Sequence, residues 1–233
     1  MLGGGFVKGD AVLVVGTAGT GKTVLGLQYL VNGVNRFNEN GMFVTFEELP
    51  EQLYRDALNF GWNLRRLESE NKLRVVCTSP DLLLEQSGDA HLLDEPIRQI
   101  KPERIVVDSL SQLEMHSVGD FRKQTYSLIR YFKTKKLSSM LTWEAHDLAG
   151  GNVLTETGLS FLADSVIPLR YVEIDSAIHK ALTVLKLRGS DHDKRLREFE
   201  ITSEGIKVAN PFRGFEGIIT GSPRKASTGK RAS

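Results

Sequence analysis

Gly16-Thr17-Ala18-Gly19-Thr20-Gly21-Lys22-Thr23 is a complete G-x-x-x-x-G-K-[ST] run, and it constrains the local fold more tightly than any other stretch of the chain. The apolar run Ala11–Val15 leads directly into it, and Val24, Leu27, Val31 and Val34 follow at helical spacing. Strand, glycine loop and helix, in that order, form the context in which this motif cradles a phosphate chain. Gly16, Gly19 and Gly21 let successive backbone N–H groups turn inward toward an anion. The helix adds its unpaired N–H groups and its dipole. Lys22 is expected to reach the β- and γ-phosphates, and the Thr23 hydroxyl to ligate Mg²⁺. The segment implies a nucleoside triphosphate site.

Further short apolar runs occur at Met42–Phe46, Leu73–Cys77, Arg104–Asp108 and Ser138–Thr142, each expected to be a strand. Segments with helical spacing lie between them: Leu53, Ala57 and Leu58; Leu93, Ile97 and Ile100; Val118, Phe121, Thr125, Leu128, Ile129 and Phe132. This alternation predicts an α/β fold with a mostly parallel central sheet flanked by helices. After about residue 163 the helices stop. Asp164–Val172, Ala181–Arg188, Arg197–Ile201 and Ile206–Val208 read as strands joined by polar turns, an antiparallel C-terminal extension of the sheet.

Composition excludes several functions. Thirty Lys and Arg balance 29 Asp and Glu, so no bulk positive field draws the chain to nucleic acid or an acidic membrane. Cys77 is the single cysteine, which leaves neither a disulfide nor a zinc cluster; within Leu73–Cys77 it is expected to be a small buried residue. No stretch has the length of a membrane span, and a reducing cytoplasm is the default location. Residues 1–221 read as one domain, and 222–233, with Arg224, Lys225, Lys230 and Arg231 and no acid, as a basic, disordered tail. Leu2-Gly3-Gly4-Gly5-Phe6 reads as a loop leading into the first strand, as in a fragment or one half of a longer protein.

Phosphate binding alone is not catalysis. The strand Arg104–Val107 ends in Asp108, placed to hold Mg²⁺ at the sheet's C-terminal edge, although Asp also ends strands as a turn former. Glu47 and Glu48 follow the strand Met42–Phe46 and can orient and deprotonate an attacking water or hydroxyl. They can equally open the next helix, where acids suit the first turn. Alternation puts Lys186 and Arg188 on one strand face, with Leu185 and Leu187 on the other, ahead of Gly189. Two such cations can clamp a γ-phosphate or protect an edge strand.

Together GTAGTGKT, Phe46-Glu47-Glu48, Asp108-Ser109-Leu110 and the run Lys186-Leu187-Arg188-Gly189-Ser190-Asp191-His192-Asp193-Lys194 resemble the KaiC family of RecA-type P-loop ATPases. The likeness runs from Met1-Leu2-Gly3-Gly4-Gly5-Phe6 to Phe212-Arg213-Gly214-Phe215-Glu216 and Ile218–Pro223. It is nearest to the second, autokinase domain of that family, which Arg197–Ser203 and Gly221-Ser222-Pro223 match in particular. The resemblance implies a RecA-like fold and a homo-hexameric ring with ATP and Mg²⁺ at subunit interfaces. KaiA- or KaiB-like or other signalling regulators would act on the ring. It implies that residues 16–23, Asp108, Glu47 and Glu48 act from one subunit. Lys186, Leu187, Arg188 and His192 then contact nucleotide held by the next, the cations acting as an arginine finger does. It also implies phosphoacceptors at Ser160 and Thr155. Phe161 stands where the family has a threonine beside the serine, and Met115 where it has an arginine.

Two other classes share these motifs. A nucleic-acid-dependent ATPase would carry basic, aromatic loops at the ring pore, and His116–Asp120 and Glu144–Asn152 form no basic stripe. A nucleotide-dependent scaffold would bind ATP with little turnover.

Overall fold

The structure, a computed structural model, describes residues 1–84, 91–116, 120–145, 159–217 and 224–225. The apolar runs form the parallel strands β1 (Ala11–Gly16), β2 (Gly41–Thr45), β3 (Leu73–Cys77), β4 (Arg104–Asp108) and β5 (Ser138–Glu144). Helices alternate with them: α1 (Lys22–Asn32), α2 (Pro50–Leu58), α3 (Leu64–Ser69), α4 (Pro80–Leu84), α5 (Asp94–Ile100), α6 (Leu110–His116) and α7 (Phe121–Thr134). The helix α1 runs on into a π-helical turn, Gly33–Phe37. A short helix α8 (Leu159–Leu162) precedes β6 (Ser165–Ile174), β7 (Ala177–Leu182), β8 (Lys186–Leu187), β9 (Arg197–Thr202) and β10 (Gly205–Pro211).

These strands form one sheet in the order β3-β2-β4-β5-β1-β6-β7-β9-β10, with β8 paired to β6. Pairing is parallel from β3 to β6 and antiparallel from β6 onward, so the expected α/β sheet with an antiparallel extension is the observed one. Burial on both faces explains the apolar runs of β1 and of Ile105–Val107 in β4. Ala11, Leu13 and Val15 point into a core shared with α5, α6 and α7. Val12 and Val14 point the other way, into a core with α1, α2, α3 and the extension. One strand thus supports both layers.

Three local expectations are corrected. Ala181–Arg188 is not one strand: β7 ends at Leu182 and β8 begins at Lys186. Strand alternation fails across that break, leaving Leu185 exposed while Leu187 is buried. Cys77 is exposed because it is the last residue of β3, the edge strand, rather than an interior one. Leu58, in the last turn of α2, is exposed while Leu53 and Ala57 carry the buried face. Val118 lies outside the described residues. Of the expected tail, Arg224 and Lys225 (β12) pair antiparallel with Phe215 and Glu216 (β11). Its other residues lie outside those described. Among the described residues no helix is long and apolar enough to cross a membrane.

Candidate nucleotide site

The loop 16–23 leaves β1 at the C-terminal edge of the sheet and ends in the first residues of α1. Two glycines are required by geometry. Gly21, at φ 102°, is the residue from which α1 starts, a conformation that L side chains avoid. A Cβ on Gly16 would lie 2.8 Å from the Leu169 carbonyl oxygen, a backbone atom that cannot swing aside. The antiparallel extension therefore presses directly against the loop, with the Tyr171 hydroxyl beside Gly19 and Ile201 beside Gly21.

Lys22 folds back beneath the loop. Its side chain is 9% exposed, its Nζ donates to the Thr17 carbonyl at 3.0 Å, and Glu144 Oε2 lies 3.9 Å away. Burial lowers its pKa, opposed by the negative charges of Glu144, Asp108 and Glu47. The Thr20 hydroxyl donates to the same Thr17 carbonyl at 2.8 Å, closing the loop on itself.

The order β4-β5-β1 interposes β5 between the strand that carries the loop and the strand that ends in Asp108. Thr23 and Asp108 meet over its end, the Thr23 hydroxyl donating to Asp108 Oδ2 at 2.6 Å. Thr142, on β5 itself, donates to the other oxygen, Oδ1. Both oxygens of Asp108 are therefore aimed by neutral hydroxyls. A hydroxyl and a carboxylate held this close suit a hard cation that keeps its waters and shares phosphate oxygens, so Thr23 and Asp108 fit Mg²⁺. Among the described residues no cluster of three His, Cys, Asp or Glu forms a metal cage, which Mg²⁺ in a phosphate site does not need.

Glu47 and Glu48 follow β2, whose Thr45 pairs in register with Asp108. Buried Thr45 fixes Glu48 at both backbone groups: its hydroxyl accepts from the Glu48 N–H and donates to the Glu48 carbonyl, each at 3.2 Å. Burial, then Asp108, Asp56 and Glu47, raise the Glu48 pKa above the ordinary glutamate value. Glu47 is exposed and accepts from the Gln112 amide of α6. Neither glutamate belongs to the first turn of α2. That helix begins at Pro50 behind Leu49, whose N–H is capped by the Gln52 side chain. The helix-opening alternative is set aside for both.

Lys186, Arg188 and Ser160 occupy the opposite edge. The antiparallel β8 pairs with the start of β6, Lys186 opposite Val166 and Leu187 opposite Ser165. Lys186 Nζ donates to the carbonyls of Ser160 at 2.7 Å and Ala163 at 2.6 Å. Arg188 donates from one terminal nitrogen to Asp164 Oδ1 and from the other to the Phe161 carbonyl, both at 3.2 Å. These groups are separated from the chain's own loop by the length of β1, about 17 Å at the usual strand rise. His192 is half-buried, its N–H bonded to the Asp191 carboxylate at 2.9 Å. Ser160 is half-buried in α8 and Phe161 is exposed. Thr155 lies outside the described residues.

Sequence reasoning missed Thr142, Glu144 and Asp164. Thr142 ends the run Ser138–Thr142 and Glu144 ends β5 two residues on, and the rule that points to Asp108 and Glu47, polar residues ending parallel strands, would have found them. Asp164 was legible only as the start of a strand.

Fold and site together define a RecA-like P-loop ATPase domain. A family model described as "ATPase: KaiC" matches residues 1–212. The chain is 38% identical over 226 residues to circadian clock protein KaiC3 of Synechocystis, covering 96% of this chain and 44% of that protein. It is 37% identical over 237 residues to the circadian clock oscillator protein KaiC of Nostoc, covering 100% of this chain and 44% of the relative. The Synechococcus elongatus clock oscillator protein KaiC is 35% identical over 236 residues, again covering 100% and 44%. The chain belongs to the KaiC ATPase family and spans less than half the length of these relatives.

Proposed function

We propose that the chain binds and hydrolyses ATP as a subunit of a KaiC-like homo-hexameric ring, in the cytoplasm, serving signalling or timing under KaiA- or KaiB-like regulators. The observation that carries this is the Thr23–Asp108 pair, closed over β5 beside the buried Lys22 and the fixed Glu48. The loop amides and Lys22 would hold the phosphates. Thr23 and Asp108 would hold Mg²⁺, which neutralises phosphate charge as the bond to the leaving diphosphate breaks. Glu48 or Glu47 would take the proton from the attacking water. A raised pKa suits Glu48 to that transfer.

The distance between Lys186 and Arg188 and their own loop supports their action on nucleotide bound by a neighbour. The same distance makes transfer to Ser160 a reaction between subunits. The Ser160 hydroxyl would attack the γ-phosphorus, ADP would leave, and Glu47 or Glu48 of the donor subunit would accept the proton. The near-neutral charge does not favour the nucleic-acid reading.

Incubation with Mg²⁺ and γ-labelled ATP tests both activities. Free labelled phosphate is expected, with label on Ser160 by peptide spectrometry. Free phosphate with unmodified protein would keep the ATPase and remove the autokinase. Nucleotide binding without release, unchanged by Glu47→Gln and Glu48→Gln, would instead support a scaffold.

A further inference from the structure

We propose that Asp164 is a positioning residue for hydrolysis, holding the Arg188 guanidinium at the sheet edge that meets a neighbour's nucleotide. The proposal rests on the reading of Arg188 as acting across a subunit boundary.

Asp164 lies between α8 and β6 and is 5% exposed. Its two oxygens have different duties. Oδ2 accepts from the Ala11 N–H at 2.8 Å and from Lys133 Nζ, in the last turn of α7, at 2.6 Å. Oδ1 accepts from Arg188. Burial alone would raise this carboxyl's pKa, but the Ala11 N–H, Lys133 and Arg188 outweigh it and lower the pKa. Neighbouring Asp10 moves the other way, raised by burial and by the charge on Asp164.

The Ala11 and Lys133 contacts satisfy one oxygen of the buried carboxylate, Oδ2, and leave Oδ1 to Arg188. Bonding Arg188 does more than satisfy that oxygen. With Oδ1 on one terminal nitrogen and the Phe161 carbonyl on the other, the planar guanidinium is fixed at two points. Arginine has five N–H donors, so most stay open among the described residues. The side chain remains 55% exposed. A cation held at both terminal nitrogens, with further N–H donors open, meets charge developing outside the chain without reorganising first. The β1 residue that anchors Asp164, Ala11, begins the strand whose last residue, Gly16, opens the phosphate loop. Finger anchor and nucleotide cradle are opposite ends of one rod.

Steady-state ATP hydrolysis by the assembled full chain decides it, in the wild type, Asp164→Asn, Arg188→Ala and the double variant. Each single change is expected to lower kcat about tenfold or more with KM changed less than about threefold, since the interaction belongs to the transition state. The double variant is expected to match Arg188→Ala within about twofold, because the two residues act as one unit. Multiplying losses, or full kcat in Asp164→Asn, overturn the proposal. Wild-type kcat in Arg188→Ala removes the cross-subunit reading, and the proposal with it, without Asp164 being touched. Where Asp164→Asn does not fold, Arg188→Lys decides. Lysine keeps the charge but cannot span Asp164 and Phe161, so kcat near that of Arg188→Ala is expected, and wild-type kcat overturns the proposal.

Discussion

Thr23, in the first turn of α1 behind β1, and Asp108, at the end of β4, are hydrogen-bonded through their side chains at 2.6 Å, although β5 lies between the two strands. Thr23→Ala leaves Asp108 with the Thr142 hydroxyl alone. The expected result is a loss of about 10–100-fold in the Mg²⁺ dependence of ATP binding, with smaller change in metal-free nucleotide affinity. Titration of a fluorescent ATP analogue with and without Mg²⁺ measures it.

Thr142→Val removes the other hydroxyl from Asp108 at nearly constant volume. It leaves a half-buried carboxylate oxygen without that donor, at a cost of about 1 kcal/mol. Hydrolysis is expected to slow while the protein stays folded, as followed by phosphate release and thermal melting. An unchanged rate would show that Thr23 alone aims the carboxylate.

The pH response of Glu48 has a defined sign. Its pKa is raised on folding, so the native state holds the proton more tightly than the unfolded chain. That contribution is complete below the unfolded glutamate value and is lost as pH rises through the folded one. Above the folded value ionised Glu48 is therefore a liability, and Glu48→Gln is expected to melt higher than the wild type there. The advantage should vanish below about pH 4, near the unfolded value. The same variant should hydrolyse ATP more slowly, a trade of stability against activity seen at many active sites.

Arg188→Ala and Lys22→Ala, each inactive or nearly so alone, are expected to recover activity when mixed before assembly. Some interfaces then pair an intact loop with an intact cation. Recovery measured against mixing ratio should peak near equal proportions; a flat, inactive series would place both residues in one subunit's site.

Gly21→Ala forces an L side chain to φ 102°, at a cost of about 1–3 kcal/mol. Adding Ile201→Val trims the atom 2.8 Å from the new Cβ but leaves the backbone strain. Denaturant melts should show most of the loss persisting in the double variant.

The parallel half of the fold was legible because strands buried on both faces carry apolar runs, as Ala11–Val15 and Ile105–Val107 do. The phosphate loop was legible because its chemistry is local. The β7–β8 break was not: Thr183 and Val184 are buried, so hydrophobicity continues across a stretch where pairing stops. The partners of Lys186 escaped for a related reason. They are backbone carbonyls of Ser160 and Ala163, and a carbonyl carries no residue-type signal. Asp164 takes its meaning from Ala11, Lys133 and Arg188, distant in sequence, and only the fold assembles them.

Leu169, Tyr171 and Ile201 form the floor on which Gly16, Gly19 and Gly21 rest. Removing the C-terminal strands would therefore not yield a smaller working unit, because the anion cradle would lose the surface that holds its shape. A load applied to β9 would be felt at Gly21 through Ile201, making the last third of the described chain a handle on the first.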